Sequence, residues 1–82
     1  MIQEIVVKKY SWNGEVDHIT LIVTYVSGKV ITRRYMMHEQ IPYTFRDFLL
    51  TADIEDVREV IPADTPYSIL ETTYRRSKYE SM

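Results

Sequence analysis

The chain has 82 residues, of which 45% are hydrophobic and 27% charged, so it forms one small globular domain and is not a disordered chain. It contains no cysteine, which excludes a disulfide framework and a cysteine zinc site and is typical of a reducing compartment. The net charge of −2 argues against bulk electrostatic attraction to nucleic acid or to anionic lipid.

Residues 1–10 predict a first β-strand, because apolar and polar residues alternate around Ile5 and Val7. The Asn13-Gly14 pair that follows is the strongest short-range signal of a hairpin turn. A three-residue loop at 12–14 keeps the apolar residues of both strands on one face. It predicts these pairs: Ile5 with Leu21, Val7 with Ile19 and Lys9 with Asp17.

Residues 17–37 predict a second hairpin, with period-two alternation from Ile19 to Tyr25. A two-residue loop would bring an arginine opposite an aliphatic residue on each face. A three-residue loop at 26–28, with Gly28 in a left-handed conformation, separates the apolar and polar residues between the two faces better. It predicts these pairs: Val23 with Ile31, Leu21 with Arg33 and Ile19 with Tyr35. The two hairpins together predict a three-stranded meander.

A short helix is predicted after Pro42, with Thr44 as its N-cap and Asp47 three residues later as the acid of a capping box. One face of this helix is apolar and should cover the meander; it consists of Phe45, Phe48, Leu49 and Ala52.

Residues 53–61 fit either a helix face or a strand, and we favour a strand at residues 56–61, followed by a last strand from Tyr67 to Arg75. The predicted fold class is therefore α+β, with an antiparallel sheet of four to five strands and one short α-helix packed on one face. Residues 1–76 are predicted to form one domain, and residues 77–82 a frayed tail.

Catalytic and metal-binding motifs are not evident in the chain. Its only histidines, His18 and His38, lack the spacing of a zinc site, and no serine has a nucleophile-elbow context. Both glycines, Gly14 and Gly28, are explained by turns. We therefore expect a protein that is not an enzyme and that holds no cofactor or metal.

Carboxylates cluster between Asp47 and Asp64, where Arg58 is the only basic residue. The cluster is either a solvated surface or a surface that meets a basic partner or mimics phosphates. It lacks the glycine and the spacing of an EF-hand loop. The candidate partner-binding residues, with the sole tryptophan included for its residue type, are Asp53, Glu55, Asp56, Glu59 and Trp12.

Basic residues collect elsewhere in the chain, and tyrosines accompany those near its end. This pattern is typical of a solvated strand end, of a protein contact or of an RNA-binding sheet. The candidates for binding nucleic acid or an acidic partner are Arg33, Arg34, Arg75, Arg76, Lys78 and Tyr74.

The leading functional hypothesis is a non-catalytic protein-binding module, which includes phage or mobile-element accessory proteins that inhibit a host enzyme or nucleoprotein complex. The alternative is a small nucleic-acid-binding domain that uses the basic residues and Tyr74. Homodimerisation through a strand edge is compatible with both. No apolar run approaches the roughly 18 residues of a membrane span, and the first residues lack signal-peptide features, so we expect a cytoplasmic protein without a membrane partner.

Overall fold

The computed structural model of the protein describes residues 1–77. In chain order the elements are β1 (Ile2–Trp12), β2 (Glu15–Tyr25), β3 (Val30–Met36), α1 (Tyr43–Thr51), β4 (Asp53–Val60) and β5 (Tyr67–Arg75). The strands form one antiparallel sheet in the order β3-β2-β1-β5-β4. The predicted α+β class, with its N-terminal meander and one short helix, is therefore confirmed.

The β2–β3 hairpin has the predicted register, in which Ile19 lies opposite Tyr35, Leu21 opposite Arg33 and Val23 opposite Ile31. Gly28 has a φ of 95°, and its N–H donates to the Tyr25 carbonyl at 2.9 Å. A left-handed glycine thus closes the loop and fixes which side chains face the core.

The β1–β2 hairpin differs from the predicted register by two residues. Its loop is the pair Asn13-Gly14, with φ values of 51° and 84°, and Trp12 pairs with Glu15 across it. Positive φ at both positions is the signature of a type I′ turn. A β-bulge at Asp17 then shifts the pairing, so that Ile5 lies opposite Val23 and Val7 opposite Leu21. Because two residues make one pleat repeat, the same side chains still face the core.

The second half of the chain extends the sheet on the other side of β1. β5 pairs with β1 and β4 pairs with β5, so β1 is the central strand and β4 is an edge. Residues 53–60 are therefore a strand, as favoured, although it begins three residues before the predicted start at Asp56. The register shift between Ile54 and Asp56 accommodates Glu55 as a bulge, which lets the chain pair with β5 directly after the helix.

The helix α1 begins two residues earlier than its predicted N-cap implies. Pro42, not Thr44, is the N-cap residue, and no side chain caps the helix. The Pro42 carbonyl accepts the N–H groups of Phe45 and Arg46 at 3.1 and 3.0 Å. Pro42 is the last residue with non-helical backbone angles, and the helix starts at Tyr43. Thr44 therefore lies inside the first helical turn and cannot be the cap.

The core lies between α1 and one face of the meander. Ile5, Leu21 and Val23 are fully buried, and Phe45 from the helix is buried against them. Phe48 and Leu49 are half-buried against the same cluster, which confirms these residues of the predicted apolar helix face, whereas Ala52 is the extended C-cap residue that follows the helix. Residues 78–82, which belong to the predicted frayed tail, lie outside the described residues, while Ser77 is buried.

Candidate partner-binding surfaces

The acidic candidates all lie on β4, the edge strand of the sheet. Every residue of this strand is exposed, and Arg58 is its one basic residue, so the strand has a formal charge of −3. The structure therefore places on one edge strand the acidic residues that the sequence predicted as a binding surface, with Asp53 and Asp56 on one sheet face and Glu59 on the other. We call them the β4 carboxylates: Asp53, Glu55, Asp56 and Glu59.

Arg75 from β5 neutralises part of this surface and ties three strands together. Its Nη1 donates to Glu55 Oε1 at 3.1 Å, and its Nη2 donates to Glu4 Oε1 on β1 at 2.8 Å. The hydrogen bond that Arg75 donates to Glu4 and the negative charge of Glu55 raise the pKa of Arg75 above its ordinary value. The guanidinium of Arg75 is therefore already paired with Glu4 and Glu55 of the same chain.

The remaining β4 carboxylates differ in how far their charges are compensated. Asp56 is paired with its strand neighbour Arg58, whose Nη2 lies 3.2 Å from Asp56 Oδ2. Asp53 and Glu59 make no ion pair with any residue in the range 1–77. These two carboxylates therefore lack a direct ion pair within this range, although Asp53 lies opposite Arg75 in the strand register.

Exposed aliphatic side chains lie among these carboxylates, and sequence reasoning missed them as surface residues. Ile54 is 60% exposed and Val57 is 55% exposed on β4, while Leu50 at the end of α1 is 76% exposed. A strand in which every aliphatic residue directly follows a carboxylate was the available signal of an exposed edge.

A groove lies beside α1 on the same side of the sheet as Ile54 and Val57. Its volume is about 460 Å³, and Leu49, Leu50 and Tyr74 contribute to its lining. Tyr74 lies opposite Ile5 of the core on one side and opposite Ile54 on the other. Tyr74, a candidate for stacking on nucleic acid, therefore lies on the helix side of the sheet.

The basic candidates do not form one patch. Arg33 and Arg34 lie on β3, the edge opposite β4, whereas Arg75 and Arg76 lie at the end of β5. Two strands separate β3 from β5, which corresponds to about 14 Å at about 4.8 Å per strand. Lys78 lies outside the described residues.

A second cavity, of about 400 Å³, lies between α1 and the strand ends and includes Asp47, Phe48 and Arg76 in its lining. This location separates Arg76 from the guanidinium of Arg75, which points to Glu4 and Glu55. Arg76 is held in place by its backbone, because its N–H donates to the Gln3 carbonyl at 3.0 Å.

Trp12 belongs to an aromatic cluster on the sheet face opposite the helix. Its ring meets Tyr67 edge-on at 5.0 Å and remains 45% exposed, while Tyr10 stacks on His18 at 4.3 Å. The structure thus separates Trp12 from Ile54 and Val57, which lie on the helix side. His18 is held by Asp17, with Nδ1 and Oδ2 2.7 Å apart.

The described residues contain no group of three or more metal-ligating side chains, and His38 is exposed in the segment between β3 and α1. Within residues 1–77, no helix has the length and apolar character needed to cross a membrane. Comparison of the chain with family models, with curated proteins and with solved structures found no match.

Proposed function

We propose that the protein is a non-catalytic protein-binding module that recognises a basic partner through β4. One observation carries this proposal: an edge strand exposes all of its residues, and half of its eight residues are carboxylates. Asp53 and Glu59 supply the charge that attracts a partner, because no ion pair within residues 1–77 compensates them. Ile54 and Val57 supply apolar area for the contact.

A binding role accounts for the carboxylates better than a catalytic one does. General acid–base catalysis requires carboxylates held against substrate in a site that excludes water. The β4 carboxylates lie on an open strand. Exposed charge of this kind acts mainly on the encounter rate and on the choice of partner.

A narrower form of the proposal is an accessory protein of a phage or mobile element that inhibits a host enzyme or nucleoprotein complex in the cytoplasm. A small domain with a strip of carboxylates on one edge has the size and charge to occupy a basic channel. This form rests on a class-level expectation, because small ordered chains without cysteine or catalytic motifs and with segregated charge are common among such accessory proteins.

Nucleic-acid binding has weaker support. Arg75 already binds Glu4 and Glu55, and the arginines of β3 lie at the far edge of the sheet from it. Phosphate contacts require several cations on one accessible surface.

Capture from the native host, with two charge-reversed baits beside the unaltered protein, tests the proposal. We expect a partner identified by mass spectrometry to be captured by the unaltered protein and by Arg33→Glu with Arg34→Glu. We expect Asp53→Lys with Glu59→Lys to lose that partner, because the charge that attracts it is reversed. These changes break no ion pair within residues 1–77, so the loss would reflect binding and not a broken internal contact. Loss on the β3 bait alone, or recovery of nucleic acid as the bound species, would contradict the proposal.

A further inference from the structure

One helix covers only part of the sheet. An α-helix with its side chains is about 10–12 Å wide, whereas five strands at about 4.8 Å spacing extend over about 19 Å. The apolar cluster beneath α1 draws its strand residues from β1, β2 and β3, and among the described residues none comes from β4 or β5. Within residues 1–77, the β5–β4 half of the helix side therefore contributes nothing to the core cluster beneath α1.

Two cross-strand rows carry apolar surface from the core out to this open half. In the first row Ile5 lies opposite Tyr74, and Tyr74 lies opposite Ile54. In the second row Val7, Thr72 and Val57 follow one another across the same strands. Tyr74 also lines the groove of about 460 Å³ beside α1, so this residue lies between the groove and Ile54 of β4.

The backbone edges of the sheet are poorly suited to strand addition. On β4 the bulge at Glu55 interrupts regular pairing. On β3 the Thr32 carbonyl accepts a hydrogen bond from Arg33, and the Met36 N–H donates to Glu39. A partner therefore has more to gain on the open face than along either edge.

The charge at the rim of the open face selects the occupant. Glu59 lies opposite Leu70 and therefore on the helix side, whereas Asp53 lies opposite Arg75 on the other face of the sheet. A second copy placed face to face would bring two acidic β4 strands together, which like-charge repulsion disfavours. A partner with cations along one flank avoids this repulsion.

We propose that the open half of this sheet face binds an amphipathic helix of another protein, which lies alongside α1 and completes the helical layer. Its aliphatic face packs on Tyr74, Ile54 and Val57, and its basic flank faces Glu59, the β4 carboxylate that lies on this side of the sheet opposite Leu70. This inference rests on the proposed function and adds the structural class of the partner segment. Helix-in-groove recognition of this kind uses anchors spaced at i, i+3 or i+4, and i+7.

A synthetic peptide of about 18 residues, or five helical turns, is the probe. It carries leucines on one helical face and lysines on the other. Two control peptides have the same composition: one scatters the leucines, and one alternates leucine and lysine with the period of a strand. Affinity is measured by fluorescence anisotropy, and contacts are mapped from amide chemical shifts of the labelled protein.

The variant pair Val57→Ser and Val30→Ser is closely matched, because these valines are 55% and 56% exposed on opposite edge strands. We expect Val57→Ser with Ile54→Ser to weaken binding of the helical peptide about tenfold or more, the order expected for lost burial of aliphatic side chains. Val30→Ser should leave the affinity unchanged. Shift changes should concentrate on α1, β5 and β4.

Several results would overturn the inference. Equal binding of the scattered peptide, tighter binding of the strand-period peptide, or shift changes on the Trp12 side would each do so. Concentration-dependent dimerisation abolished by Val57→Ser would identify a second copy as the occupant. If Glu59→Lys prevents peptide binding and Val57→Ser with Ile54→Ser does not, the charge-based proposed function stands and the helical partner fails. If Val57→Ser with Ile54→Ser prevents peptide binding and Glu59→Lys does not, charge recognition is contradicted and the apolar site stands.

Discussion

Gly28 shows how one backbone angle determines the orientation of two strands. Its φ of 95° closes the loop, and an added Cβ would meet no atom within 4 Å, so only backbone strain opposes a side chain there. We expect Gly28→Ala to lower the free energy of unfolding by about 1–2 kcal/mol, the cost of a left-handed L-residue. Gly28→Asn should cost less, because asparagine tolerates this region. Urea denaturation with equal losses for both variants would contradict this explanation.

The first hairpin shows what residue patterns leave undetermined. The sequence correctly identifies Asn13-Gly14 as a turn and Ile5, Val7 and Leu21 as core-facing residues. Its predicted register was wrong by two residues, because a shift of one pleat repeat leaves every side chain on the same face. The bulge at Asp17, which permits the shorter loop, leaves no trace in the alternation of apolar residues.

At the scale of elements, β4 is held to the sheet through β5 and through the guanidinium of Arg75. Because Arg75 spans Glu4 on β1 and Glu55 on β4, we expect Arg75→Gln to speed amide hydrogen exchange in β4 more than in β1 and β2. Arg34→Gln on β3 is the control, since Arg34 makes no ion pair within residues 1–77. Unchanged exchange in β4 would show that pairing with β5 alone holds the strand.

The pH dependence of the stability that Arg75 contributes follows from the direction in which folding shifts its pKa. A base whose pKa is raised on folding stabilises the folded state below its unfolded-state pKa. The effect is lost only as the pH rises through the folded-state value. Since the pKa of Arg75 is raised from an already high value, its contribution is present at neutral pH and disappears only in strongly alkaline solution.

The positions of β4 and β5 mark the limit of prediction at this scale. Local alternation predicts Tyr67–Arg75 as a strand with the observed bounds, and it favours a strand for β4. It contains no information on long-range pairing, so the placement of β5 beside β1 was not predicted. The exposure of Ile54 and Val57 follows from that placement, because α1 covers the other half of the sheet.

At the scale of the whole molecule, charge is segregated to opposite edges of one sheet. Arg33 and Arg34 lie on β3, the β4 carboxylates lie on the far edge, and four strand spacings, or about 19 Å, separate them. This distance exceeds the Debye length of about 8 Å at physiological ionic strength. A partner that approaches one edge therefore senses little of the other.

The association rate of the captured partner tests the central claim, that β4 steers recognition, most directly. Glu59→Lys and Glu15→Lys make the same charge change at exposed positions. Glu15, however, lies on β2, which is separated from β4 by the two strands β1 and β5. We predict that Glu59→Lys slows association several-fold at low salt, and that Glu15→Lys slows it little. The difference should vanish near 1 M salt, where the Debye length is about 3 Å. Equal association rates for the two variants at low salt, with both folded by circular dichroism, would contradict the account.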